Sequence, residues 1–294
     1  MGNWIKQPHT ITPRRPRFDF SRTPAHWIAD DPLATQFLNI MQPITPAPER
    51  WFCQTVREAL PLIRDERLRE AATAFIKQEG AHSLGHTLGT RRLAELGVDV
   101  SSYEALVEWV FGSMLGPDPL GRKLKSHRGR MAWLKTRLAM VAATEHLTGI
   151  LGNWVLNAKG LEQAPVDPEM LYLYQWHGAE EVEHREVCDA VFRHLSGNIP
   201  LRTAAALFVF PLFAGLGYIG IQQLAANDPQ LPYRRVRVCD YLRAARQGRV
   251  PGPGFLARRL LRYFAPNHSP LDEGSTEQAL AYLALPPRAA MASA

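Results

Sequence analysis

Two segments, Glu79-Gly-Ala-His82 and Glu181-Val-Glu-His184, repeat a Glu-x-x-His spacing inside stretches whose apolar residues recur every three or four positions. Residues three apart on a helix share a face, so each pair presents a carboxylate and an imidazole in one direction. The stripe Leu68, Ala72, Phe75, Glu79, His82, His86, Leu93 and the stripe Met170, Tyr174, His177, Glu181, His184, Cys188, Val191, Leu195 put both pairs at core positions. Glu145 lies on a third seam (Leu134, Leu138, Val141, Glu145, Thr148, Gly152, Val155), and Glu49 sits in a fourth amphipathic stretch. Ionisable groups are costly to bury unpaired, so four core-facing clusters call for a common partner. One Glu from each of two helices plus Glu-x-x-His from each of two others is the ligand set of a binuclear metal centre in a four-helix bundle.

The expected fold is therefore all-α: a ferritin-like four-helix bundle with one long crossover, plus additional C-terminal helices. Thr45-Pro46 opens the first helix, which Pro61 stops near Leu60. Asp65 caps a second helix that lasts to about Leu96, before Gly97. The third spans roughly Arg130 to Lys159, and the fourth opens at Asp167-Pro168 and runs to Gly197. Glu49 and Glu79 are 30 residues apart and Glu145 and Glu181 are 36 apart, which suits two antiparallel hairpins. The 66 residues from Glu79 to Glu145 leave room for the crossover, whose residues 99–129 read as irregular. The chain thus divides into an extended N-terminal arm (1–44), the bundle (45–197), an apolar helix or helical hairpin (198–228) and a basic C-terminal segment (229–294).

Residues 203–227 carry no charge, and residues 204–221 are almost continuously apolar. That length is the lower limit for a membrane span, and Pro211 with three glycines argues against a straight one. Spanning, docking on a membrane surface, burial against the bundle and a homodimer interface all fit the pattern. The net charge of +6 is concentrated near the N-terminus and in the last third, where arginines alternate with Leu, Phe and Tyr as in an interfacial element. No nucleic-acid recognition motif accompanies the charge, so no nucleic-acid partner is expected. The three cysteines show no paired spacing and no secretory signal opens the sequence, which points to a cytoplasmic setting, at the inner face of the membrane if the apolar segment docks there. Cys53 and Cys188, each four residues from a ligand candidate, read as small core residues.

The candidate metal ligands are Glu49, Glu79, His82, Glu145, His177, Glu181 and His184. His177 joins because it lies four residues before Glu181 and seven before His184. His86 and Glu180 read as outer residues that orient a ligand. Glu183 and His146 are expected to point away from the seam. The mixed oxygen and nitrogen set suits two Fe ions, with Mn or mixed Fe/Mn as variants and Zn if the chemistry is hydrolytic.

Four strings, Pro48-Glu49-Arg50-Trp51-Phe52, Phe75 to His82, Thr144 to Thr148 and Trp176 to Arg185, resemble a bacterial family known as predicted metal-dependent hydrolases, over about residues 20–230. The resemblance implies a metal more directly than it implies hydrolysis. The spacing of His177, Glu181 and His184 is also similar to that of di-iron arylamine N-oxygenases, in which a third histidine binds one iron. The leading expectation is an O2-dependent oxidoreductase (hydroxylation, desaturation or N-oxygenation). Its substrate would be a hydrophobic small molecule, acyl or lipid-like and carrying negative charge. No flavin, haem or nicotinamide motif is present, so electrons would come from an external donor. A binuclear metal-dependent hydrolase is the alternative, and an iron-handling protein the third reading.

Overall fold

The computed structural model describes residues 4–231 and 235–285, and among these every regular element is helical. Residues 232–234 and 286–294 of the basic C-terminal segment lie outside the described residues. Four long rods carry the architecture: α3 (Pro46–Ala59), α4 (Glu66–Glu95), α6 (His127–Val155) and α8 (Pro168–His184). Labels α1, α2, α5, α7 and α9–α13 below follow chain order around them.

Local chemistry sets the ends of these rods. Asp65 accepts from the Leu68 amide at the start of α4, Ser126 from Gly129 at α6, and Asp167 from Met170 at α8, each satisfying a donor the helix leaves free. Pairings across the rods fix their directions. Ser83 donates to Pro46 O while Cys53 donates to Ile76 O, so α3 and α4 are antiparallel. Gly152 lies against Gly178, and Gly149 against Arg185, so α6 and α8 are antiparallel too. His86 meets His177 while Gln78 meets His184, which makes α4 and α8 antiparallel. Arg137 reaches back to Thr55 and Glu58 on α3. The four rods therefore form a ring of neighbours, and the link from α4 to α6 crosses its diagonal.

That crossover is more ordered than its sequence suggests. It contains α5 (Ser101–Glu108) and a π-helical turn, Trp109–Met114. Two indoles, one buried and one half-buried, pin its end: Trp51 Nε1 donates to Leu115 O at 2.7 Å and Trp133 Nε1 to Gly116 O at 2.8 Å.

The N-terminal 44 residues are not uniformly extended. Residues 4–31 hold a 3₁₀ turn, Phe20–Arg22, and an isolated bridge from Ile28 to Val166, but α1 (Pro32–Asn39) and α2 (Met41–Ile44) follow them. They are too short for hydrophobic periodicity to show, and α1 is held instead by Pro32 at its start and the Asp31 cap on Ala34. The fourth expected helix is also interrupted. After α8 the chain kinks at Arg185 and Glu186 before α9 (Val187–Leu195). The Arg185 guanidinium turns aside to the carbonyls of Pro270, Leu271 and Gly274, and the Glu186 carboxylate receives the amides of Lys6 and Gln7.

The apolar segment is a single helix, α10 (Ile199–Asn227), not a hairpin. One face packs on α6, α1 and α5. Gly220 lets this face approach closely, since a Cβ there would run into Ile40 Cδ1 and meet the Tyr103 ring at 2.6 Å, and Tyr103 donates to Leu216 O. Beyond it, α11 (Val238–Arg246) packs on α1, α12 (Pro253–Arg262) on α6, and α13 (Thr276–Leu283) on α8; a short α7 (Lys159–Glu162) precedes α8.

Candidate metal centre

The rods bring all seven candidate ligands into one buried cluster. His184 Nε2 lies 3.2 Å from Glu79 Oε1, 3.2 Å from Glu145 Oε2 and 3.5 Å from Glu181 Oε2. His82 Nδ1 is 3.5 Å from both Glu79 Oε1 and Glu181 Oε1. His177 Nε2 is 2.8 Å from Glu181 Oε1 and 3.6 Å from Glu49 Oε1. Glu79 and Glu181 therefore stand between two ends: Glu49, His82 and His177 at one, Glu145 and His184 at the other. Every one of these side chains is buried.

Outside the cluster, hydrogen bonds fix which nitrogen each imidazole turns inward. Gln42 Nε2 donates to Tyr174 Oη, which itself donates to Leu38 O, so Gln42 Oε1 accepts from His86 Nδ1. His86 Nε2 then accepts from His177 Nδ1 at 2.7 Å, and the His177 Nε2 lone pair faces the carboxylates. Gln78 donates to Glu183 and accepts from His184 Nδ1, which turns Nε2 of His184 inward. Glu180 accepts from His82 Nε2 at 3.0 Å, leaving Nδ1 inward. Three neutral rings would thus aim lone pairs at four carboxylates, an arrangement that needs cations between them.

The unsatisfied atoms support that fit. Both oxygens of Glu49, Glu79 and Glu145, with Glu181 Oε2, His82 Nδ1 and His184 Nε2, are buried without a hydrogen-bond partner. Most buried polar atoms in native proteins find one. Among the described residues, groups of three with ligand atoms mutually within 4.8 Å include Glu49–Glu79–His82, His82–His177–Glu181 and Glu79–Glu181–His184.

Without metal, protons must take the cations' place. Burial, then the charges of Glu181 and Glu79, push Glu145 up to about 8, and burial with Glu79 pushes Glu49 well above the usual carboxylate range. Although burial opposes it, the carboxylates around His82 and His184 raise both imidazoles well above their ordinary value. Burial also opposes ionisation of Glu181, yet His184 and the other two imidazoles hold it well below the usual range. Burial and neighbouring imidazoles lower His86 and His177, which stay neutral. Glu49, Glu145, His82 and His184 bind protons more tightly folded than unfolded. The stability they contribute is complete below their unfolded values and is lost as pH rises through their folded ones. The metal-free chain is therefore expected to lose Tm as pH rises from the ordinary carboxylate range through about 8, while added metal restores it most at the alkaline end. A metal-induced gain in Tm that shrinks as pH rises would contradict this assignment.

The outer residues differ in part from expectation. Glu180 accepts from His82, and His86 accepts from His177 Nδ1 while also lying within a Glu49–His86–His177 group whose ligand atoms are mutually within 4.8 Å. Glu183 makes no bond to the seven cluster residues among those described, but it is buried rather than solvated: it accepts from Gln78 at 2.7 Å and pairs with Arg14. Arg14, from the N-terminal arm, bridges Glu180 and Glu183 at 3.0 and 2.7 Å. His146 does face away from the centre, but into a buried contact with Tyr263, His268 and the Arg259 carbonyl. Burial pushes the Cys53 thiol up to about 12 and Cys188 well above its usual range, so both stay neutral and pack as small core residues.

One side of the cluster opens into a cavity of about 350 Å³ that ends on Glu49, His177 and Glu181. Its walls come from α3, α6, α10 and α12, among them Phe52, Leu147, Leu151, Phe213, Leu256 and Leu260. No lysine or arginine lines it.

A profile of the family described as predicted metal-dependent hydrolases matches residues 12–274. The chain belongs to this family. The match is wider than the 20–230 that the motif strings mark, taking in Arg14 at one end and α12 at the other. All seven cluster residues and the cavity walls fall inside it. No curated protein and no solved structure matches the chain significantly. Family membership and the buried Glu/His clusters together identify a metal-dependent protein.

Proposed function

We propose that this member of the predicted metal-dependent hydrolases is a ferritin-like binuclear enzyme that oxidises a neutral, apolar small molecule with O2. The observation that carries the binuclear reading is the set of buried carboxylate and imidazole atoms left unsatisfied between four rods. Glu49, His82 and His177 would hold one iron, Glu145 and His184 the other, and Glu79 and Glu181 would be shared. An iron pair in such a site supplies the redox chemistry with O2 that side chains cannot.

The protein's own contribution is legible around it. Gln78, Glu180 and the His86–Gln42 pair hold three imidazoles in the tautomers that face inward. Phe52, Leu147 and Leu151 keep water from the Glu49 side, where the cavity delivers the substrate. With no lysine or arginine in its walls, a negatively charged substrate would meet a cation only at the metals, so the walls themselves favour a neutral apolar one. Seven donors without a single Asp favour redox chemistry over a water-exposed hydrolytic site. Electrons would come from an external donor.

Hydrolysis is the second reading, and the family's description supports it better than oxidation. Two metals can also clamp an acyl or phosphoryl group and activate water. One experiment separates the two. The chain, loaded anaerobically with ferrous iron and mixed with O2, is expected to consume O2 as the iron is oxidised, with metal near two per chain. Ester or phosphoester cleavage by the zinc-loaded chain, unchanged without O2, would instead establish hydrolysis.

A further inference from the structure

The outer face of α10 is apolar and unpartnered. Leu207 is 63% and Tyr218 57% exposed, and Phe208 and Ile219 lie on the same exposed side. From Thr203 to Asn227 the helix has no charged residue. The opposite face is committed to the bundle through Ala206, Val209, Leu216, Gly220 and Leu224, all buried, so α10 cannot be surrounded by lipid without leaving the fold.

Beside it lies α12, which joins α10 at the cavity: Phe210 and Phe213 of one helix and Leu256 and Leu260 of the other line the same wall. On its outer side α12 exposes Leu261 (68%) together with Arg258 and Arg262, with Arg259 half-buried beside them. Arg259 and Arg262 are partly balanced by Glu273 and Asp272, while no ion pair is seen for Arg258 among the described residues. A patch of leucine and aromatic side chains edged by arginines is the pattern of an element that lies in the interface of an anionic bilayer. Ala214, in the middle of α10, both lines the cavity and is exposed to solvent, so the cavity wall and this patch share a residue.

We propose that the α10–α12 face docks on an anionic lipid bilayer and that the cavity takes its substrate, a neutral membrane-dissolved apolar molecule, directly from that bilayer. The two halves fit one another. A cavity walled by apolar side chains receives molecules that are scarce in water and concentrated in lipid. A second copy of the chain seated on this face would bury Ala214 and keep lipid from the wall it shares with the cavity. The proposal rests on the apolar-substrate reading of the cavity but not on the reaction at the metals.

The test is flotation of the full-length, metal-loaded chain with vesicles of phosphatidylcholine alone or of phosphatidylcholine with phosphatidylglycerol. Binding is expected to the mixed vesicles and to fall about tenfold on the neutral ones. The double variant Leu207→Glu/Tyr218→Glu, remote from the metal cluster, is expected to lose binding with unchanged metal content and helicity. Arg258→Glu should lose the preference for anionic lipid. Equal binding of wild type and double variant would overturn the proposal. So would a dimer in vesicle-free buffer that the double variant dissociates, since the face would then belong to a second copy. Metal content, measured on the same samples, keeps failure of docking distinct from failure of the binuclear centre.

Discussion

Replacing Glu181 by alanine is expected to abolish binding of both metals, because this carboxylate faces all three inward nitrogens of His82, His177 and His184. The substitution should also weaken the metal-free chain. Glu181 is the anion that the buried imidazoles hold well below its usual range, despite the cost of burying it. Removing one partner from a buried ion pair costs on the order of 3 kcal/mol, which in a chain of this size lowers Tm by roughly 5–10 °C. Glu145→Gln should behave oppositely in one respect. Burial and the charges of Glu181 and Glu79 make the Glu145 carboxylate a source of strain when ionised, with a pKa of about 8. An amide of the same shape relieves that repulsion, so the metal-free variant is expected to gain about 1–2 kcal/mol near pH 8 while losing metal at the Glu145–His184 end. Metal analysis and thermal melts of both variants check the contrast. If the two substitutions shift metal-free stability in the same direction, the charge arrangement assigned to the cluster is wrong.

Gly152→Val should be as damaging as loss of a ligand, without touching one. A Cβ at Gly152 would lie 2.5 Å from the Gly178 carbonyl and 3.0 Å from Glu181 Cβ, where α6 and α8 pass closest. Backbone cannot yield as a flexible side chain would, so the helices must separate. Overpacking of this kind typically costs about 1–3 kcal/mol, and here the separation moves Glu145 relative to Glu181. Metal affinity is expected to fall at least ~10-fold even if the variant stays folded, in the range that follows loss of outer supports around a metal. Gly152→Ala, with the same Cβ and less bulk, should show a smaller effect of the same sign. A folded Gly152→Val chain with unchanged metal affinity would show that the close approach is dispensable.

How much of this was readable from the chain depends on the range of the signal. Glu49, Glu79, His82, Glu145, Glu181 and His184 stand out because helical periodicity places a costly residue in an apolar stripe, and that is local information. His177 and His86 follow from the same stripes. Arg14 carries no such mark: it meets Glu183 across a separation of 169 residues, from a segment without any period. Gln42 and Gln78 were missed because an amide is unremarkable in sequence and gains its role only by fixing a neighbouring tautomer. The Glu180–Glu183 spacing of three marks a second acidic pair on one helical face, but nothing local to α8 says that Arg14 and Gln78 bury Glu183. The interruption at Arg185–Glu186 depends on where residues 6, 7 and 270–276 return, which no window of α8 contains. For α10, composition does not distinguish a buried helix from an exposed one, because the helix is both: apolar side chains pack inward on one face and stand exposed on the other.

The binuclear centre is tested most directly by anomalous diffraction at the iron edge from crystals of the iron-loaded chain. Two peaks in the space between Glu79 and Glu181, one on the Glu49–His82–His177 side and one on the Glu145–His184 side, are expected. A single peak, or iron bound away from these residues while the cluster stays metal-free, would contradict it.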